Sequence, residues 1–131
     1  MPFSMTVDHD RKRIHSHASG DIDSNEIFST TLETLQDPVL STYNEVMDAR
    51  DVGKIDFSSN QSFDLAAFVE SIDVPAGRRF AVVVSSDLTR GLANQYSSLI
   101  AALAGDRIQV GVFEIVEEAE TWAFEEEGRD A

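Results

Sequence analysis

The fold is decided by "RRFAVVVSSDLTRGLANQY", residues Arg78–Tyr96. Phe80 to Val84 is an unbroken apolar run rich in β-branched residues, which reads as a central strand covered on both faces. Ser85, Ser86 and Asp87 break it. Leu88, Leu92, Tyr96, Leu99 and Leu103 then recur on one stripe, so a long helix starts at Asp87 and ends at Gly105–Asp106. The stretch is therefore a strand handing over to a helix. Ser86 and Asp87 read first as an N-cap, where a side-chain oxygen accepts a backbone N–H of the opening turn. The same helix start could hold an anion, but Asp87 already places negative charge there. Gly91 stands outside any Gly-x-Gly-x-x-Gly or Walker spacing and suits close helix–sheet packing. The Gly-x-Ser-x-Gly pattern of a hydrolase nucleophile is absent.

The same alternation extends to both sides. Downstream, Ile108 to Phe113 reads as a strand. "EEAETWAFEEE" reads as a helix with Ala119, Trp122 and Ala123 inward, and residues 125–131 as a frayed acidic tail. Upstream, a helix from about Ser62 carries Leu65, Phe68, Val69 and Ile72 on one face. Val74 to Gly77 is a turn. Gly53 to Gln61 reads as a polar loop, and Glu45 to Arg50 as a short buried strand. Before it, Asp23 caps a helix with Glu26 three residues on, as in a capping box. Ile27, Phe28, Thr31, Leu32 and Leu35 follow at helical spacing, and Asp37–Pro38 stops the helix. Met5 and Val7, then Ile14, Ser16 and Ala18, alternate with their neighbours as in an antiparallel hairpin, closed at Gly20. Pairing Val7 with Ser16 puts His15 and His17 on one face, sends His9 to the other, and allows Asp8 to face His15. The predicted order is β-β-α-β-α-β-α-β-α: an α/β fold with a mixed sheet, its opening hairpin antiparallel and its later strands parallel through crossover helices. At 131 residues the chain fits one domain, residues 1–131.

Twenty-four acids face ten bases, for a net charge of −14. Such a surface repels nucleic acid and anionic membranes, which bind clustered Lys and Arg. The one basic cluster, Arg11–Lys12–Arg13, falls at the hairpin tip. An acidic surface also serves solubility and salt adaptation. No cysteine is present, which removes disulfides and thiolate chemistry and suits a cytoplasmic location. No apolar run reaches the ~20 residues of a membrane helix, and the N-terminus lacks the pattern of a signal peptide.

"VMDARDV", "RRFAVVVSSDLTRGLANQY" and "VGVFEIVEEAETWAF", in this order, resemble the SpoIIAA-like (STAS/CRAL-TRIO-type) family of small bacterial proteins. In that family an Asp-x-Arg ends a central strand, a strand with basic residues at its start runs into a Ser-Asp helix start followed by Gly-Leu-Ala, and a Val-Phe strand precedes a Glu-Glu-Ala-x-x-Trp helix. The resemblance spans the hairpin to Phe124. Two positions depart from it: Ala123 stands where the family usually has Leu, and Arg90 where an aromatic is common. The resemblance implies a four- or five-stranded mixed sheet bearing helices. It also implies relatives that divide between phospho-regulated anti-anti-sigma switches and modules for lipids or small apolar ligands.

Open α/β sheets bind ligands at the carboxyl ends of their parallel strands. Three such ends are readable: Asp48–Arg50, Ser85–Asp87 and Phe113–Glu114. Asp48 and Arg50 share a face, as a structural ion pair or as ligand-orienting charges. Tyr96 and Trp122 suit core packing, or the wall of an apolar pocket. Ser58 and Ser59 correspond to the phosphorylated region of anti-anti-sigma relatives, but Asp56-Phe57-Ser58-Ser59-Asn60 lacks the Asp-Ser-Ser-Gly context. Three histidines without a convergent set predict no metal site. No cofactor is predicted, and no catalytic residue can be named.

The expected function is a non-enzymatic regulatory or binding module. Its ligand candidates are Asp48, Arg50, Ser86, Asp87 and Tyr96, its partner a small apolar or amphipathic molecule or a protein, and a homodimer is a further expectation. An anti-anti-sigma-type switch through Ser58 or Ser59 is the alternative, and an enzyme the third.

Overall fold

Five strands form one sheet in chain order: β1 (Phe3–Asp8), β2 (Arg13–Asp23), β3 (Asn44–Asp56), β4 (Arg78–Val83) and β5 (Ile108–Phe113). β1 runs antiparallel to β2, while β2, β3, β4 and β5 run parallel. The computed structural model describes residues 3–23, 26, 30, 33–56, 77–85, 87, 90, 91, 94, 98 and 107–125. Residues 57–76, all five residues of the stripe from Leu88 to Leu103, and the tail beyond 125 lie outside those residues.

The hairpin is closed by residues 9–12, with Lys12 at φ 58°. Asp8 Oδ1 accepts the Arg11 amide at 3.1 Å, a side-chain bond that suits a tight turn. Val7 pairs with Ile14 rather than with Ser16. A two-residue offset leaves every side chain on its expected face, because the pleat has period two.

Two boundaries depart from expectation. β2 does not close at Gly20 but continues to Asp23, and β3 does not end at Arg50 but continues to Asp56. The register explains both. His17 pairs with Asp48 and Ser19 with Asp51; Gly20 pairs with Val52 and Asp21 with Lys54. β3 thus accommodates two extra residues. Gly20, at φ 73°, takes a backbone conformation that favours glycine. The polar run from Gly53 looks like a loop because Gly53 and Lys54 are exposed, not because pairing stops.

Asp23 caps as its spacing predicts: Oδ1 accepts the Glu26 amide at 2.9 Å. Helical backbone follows at 26, 30 and 33–36. At Asp37 the chain turns, with Oδ1 accepting the amides of Val39 (2.8 Å) and Leu40 (3.0 Å). These bonds, that of Leu40 foremost, hold the Asp37 carboxyl below its ordinary pKa. One 3-10 turn, Leu40–Thr42, then delivers the chain into β3. Further on, residues 87, 90, 91, 94 and 98 are helical, consistent with a helix opening at Asp87.

The register divides the sheet into two faces. Ile14, Glu45 and Phe80 lie across from one another on one face, and His15, Val46 and Ala81 on the other. A C-terminal helix, Val116–Glu120, covers the second face and widens into a π turn at Thr121–Glu125. Ala119, Ala123 and Phe124 are buried there against Val46, Ala81 and Val83. Small residues let the backbones approach. A Cβ at Gly111 would stand 2.8 Å from the Phe113 ring and 3.2 Å from the Trp122 ring, too near for any larger residue without movement. On the first face Ala18, Ile22, Ala49 and Val52 form a second cluster, with Phe3, Met47 and Val82 against it.

Candidate functional site

The ends of β4 and β5 meet β3 at Asp48–Arg50, which is not the carboxyl end of β3, since that strand runs on to Asp56. Ser85 Oγ donates to the Arg50 carbonyl at 2.8 Å, tying the end of β4 to β3. The Val84 amide donates to the Phe113 carbonyl at 2.9 Å, tying it to β5. Arg90 contacts Glu114 and lies 3.8 Å from Asp87, so the helix that follows β4 is pinned to the end of β5. Ser58, Ser59, Ser86 and Tyr96 lie outside the described residues.

Asp48 and Arg50 bond to each other. Arg50 Nε donates to Asp48 Oδ1 at 2.9 Å and Nη2 to Oδ2 at 2.7 Å, and the Arg50 amide also reaches Oδ1 at 3.1 Å. This is the fork-to-fork geometry in which guanidinium and carboxylate are held as one rigid unit. The Arg50 side chain is 47% exposed and that of Asp48 25%. The Arg50 hydrogen bond chiefly holds the Asp48 carboxyl below its ordinary pKa, and in return raises that of Arg50. Two of the five guanidinium N–H groups are used on Asp48, and the side chain stays about half exposed. The first bulge in β3 brings Asp51 to the same region, where its Oδ2 lies 2.8 Å from His17 Nε2. Ile115, just past β5, is 51% exposed and adds apolar surface to this edge.

At the amino ends of the same strands lies a pair that the sequence did not suggest. Arg78 Nη2 donates to Glu45 Oε1 at 2.9 Å, and Ser16 Oγ bonds to Glu45 Oε2. The two charged side chains are only 4% and 3% exposed. Arg78 Nε is buried with no partner among the described residues. Beside them, on the opposite face, Asn44 and Arg79 hold the end of the C-terminal helix. Asn44 Nδ2 donates to the Ala123 carbonyl and Arg79 Nη1 to the Trp122 carbonyl, both at 2.8 Å. The Arg79 amide donates to Asn44 Oδ1 at 2.8 Å. The last carbonyls of a helix lack partners of their own, and the sheet supplies them here. The guanidinium of Arg79 also stacks 5.1 Å from the Trp122 ring, and that of Arg13 5.0 Å from the Phe124 ring.

The histidines disperse. His15 Nε2 is 3.5 Å from Glu120, His17 bonds Asp51, and His9 Nδ1 lies 3.0 Å from the Tyr43 hydroxyl. Asp8 does not face His15; it stands opposite Arg13 and bonds the Arg11 amide. Among the described residues no three metal-ligating side chains meet, and no helix is long and apolar enough to cross a membrane.

No model of a known protein family matches the chain, and no curated protein does. Solved structures do. One is an uncharacterized protein from the DUF3478 family with a SpoIIAA-like fold, from Shewanella loihica PV-4. The likeness covers 92% of this chain and 93% of that one, at a TM-score of 0.53 and 12% identity. At that identity the likeness is one of fold, and it agrees with the antiparallel hairpin followed by parallel strands.

Proposed function

We propose that this SpoIIAA-like domain is a non-enzymatic binding module that takes a small amphipathic ligand at the carboxyl edge of its sheet. The observation that carries the reading is the Asp48–Arg50 pair. A guanidinium fixed by two hydrogen bonds, yet about half exposed, is organised before any ligand arrives. Ordering it on binding therefore costs little. Its exposed part suits the oxygen atoms of a polar head. Ile115 suits the apolar remainder, since it lies exposed at the same edge. Carboxylates of Asp51 and Glu117 act on Arg50 as well, which disfavours a strongly anionic head and favours a neutral one.

The test is native mass spectrometry of freshly purified protein, followed by a denaturing run. The expected result is a small co-purified mass that is lost on denaturation and is absent from Arg50→Met. A clean apo mass, with no binding of fatty alcohols or monoacylglycerols offered in titration, overturns the reading.

A further inference from the structure

Among the described residues the outer edge of β1 is an open margin of the sheet. β1 ends the strand order, and Ser4, Met5 and Thr6 are exposed in succession, on both faces. Met5 is 39% exposed, one of three large hydrophobic side chains so placed among the described residues. Natural sheets blunt such an edge with lysine, proline or a bulge. "FSMTVD" contains none of the three, and its register with β2 is continuous. By contrast β5, at the other margin, is half-buried along most of its length. Charge singles out the same strand. In a chain of net charge −14, Phe3 to Val7 holds no charged residue, and Asp8 is bonded by Arg11. Two copies can approach here with little repulsion.

We propose that a second copy of this chain pairs through β1, antiparallel about a two-fold axis at Met5, to make one continuous ten-stranded sheet. The register follows from side-chain direction. Residues paired across an antiparallel seam share a face. Phe3, Met5 and Val7 lie on one face and Ser4 and Thr6 on the other. Centring on Met5 sets Met5 against Met5, Phe3 against Val7 and Ser4 against Thr6. All three apolar residues then find apolar partners, and Ser4 and Thr6 can hydrogen-bond. Centring on Thr6 instead leaves Phe3 unpaired and brings Asp8 into the seam. Five paired residues span about 17 Å. So short a seam holds the two copies weakly, and the dimer fraction rises with concentration.

The chain has no cysteine, so introduced thiols report on the register alone. Met5→Cys is expected to give a covalent dimer under mild oxidation. Ser4→Cys alone is expected to give none, and Ser4→Cys mixed with Thr6→Cys a mixed dimer. Sedimentation velocity should show a dimer fraction that rises with concentration in the wild type and vanishes in Met5→Lys, with unchanged circular dichroism. Thr6→Lys serves as the second charged variant if Met5→Lys folds poorly. A monomer at every concentration overturns the proposal. So does failure of Met5→Cys to cross-link, or cross-linking of Ser4→Cys to the same extent.

Discussion

Two arginine–carboxylate pairs stand at opposite ends of the pairing between β3 and β4, and they differ in almost everything except chemistry. Glu45–Arg78 bridges the starts of β3 and β4 and is sealed from water. Asp48–Arg50 joins near neighbours within β3 and is open to it. The buried pair has lost its hydration and must be matched by its partners, Ser16 included. The open pair loses little of its hydration. Burial, not the identity of the residues, makes one pair a support and leaves the other open to solvent.

The largest expected effect comes from breaking the buried pair. Glu45→Ala should leave Arg78 charged and stranded, lowering stability by about 3–5 kcal/mol in denaturant unfolding. Replacing both partners at once, Glu45→Leu with Arg78→Met, should recover most of that loss, since the double change also removes the unpartnered Arg78 Nε. If the single and double variants are equally unstable, the contrast between the two pairs fails. A smaller effect is expected from Asn44→Ala, which removes the bonds to the Ala123 carbonyl and the Arg79 amide. Unmatched buried groups put the loss at about 1–3 kcal/mol, with protection of the C-terminal helix from hydrogen exchange falling first. The smallest stability change belongs to Arg50→Met, whose unfolding midpoint should stay near that of the wild type while ligand retention is lost.

Acid sharpens the same comparison. The Asp48 carboxyl titrates below its ordinary value in the folded protein. Its contribution is therefore present above the unfolded value, about pH 4, and is lost as pH falls through the folded one. Asp37 is lowered in the same direction, so acid unfolding alone does not isolate Asp48. Ligand retention does: it should fall in that acid window in the wild type, and Asp48→Asn should remove the acid-dependent component.

Much of the frame was legible because its signals are local. β5 begins and ends where its apolar run does, Asp23 caps at the expected spacing, and Asp37–Pro38 stops the helix. The exposed pair was legible too, since Asp48 and Arg50 are two residues apart on one strand. Glu45 and Arg78 are 33 residues apart, and each looks like an ordinary charge at a strand start. Only the pairing of Glu45 beside Phe80 brings them together. The length of β3 was hidden for another reason. Gly53 and Lys54 are solvent-facing residues in a bulged strand, and their composition matches that of a loop. Asp51 meeting His17 was hidden by the same bulge, because strict alternation would send Asp48 and Asp51 to opposite faces.

Strand order that equals chain order has a consequence for synthesis. As β2, β3, β4 and β5 leave the ribosome, each finds the strand it will pair with already made, and the sheet can grow by addition at one margin. The C-terminal helix breaks that pattern. Its anchors, Asn44 and Arg79, precede it by 79 and 43 residues. It closes contacts of high sequence separation, which form slowly. Docking of that helix therefore waits on strands made much earlier, and it is what buries Val46, Ala81 and Val83 on that face.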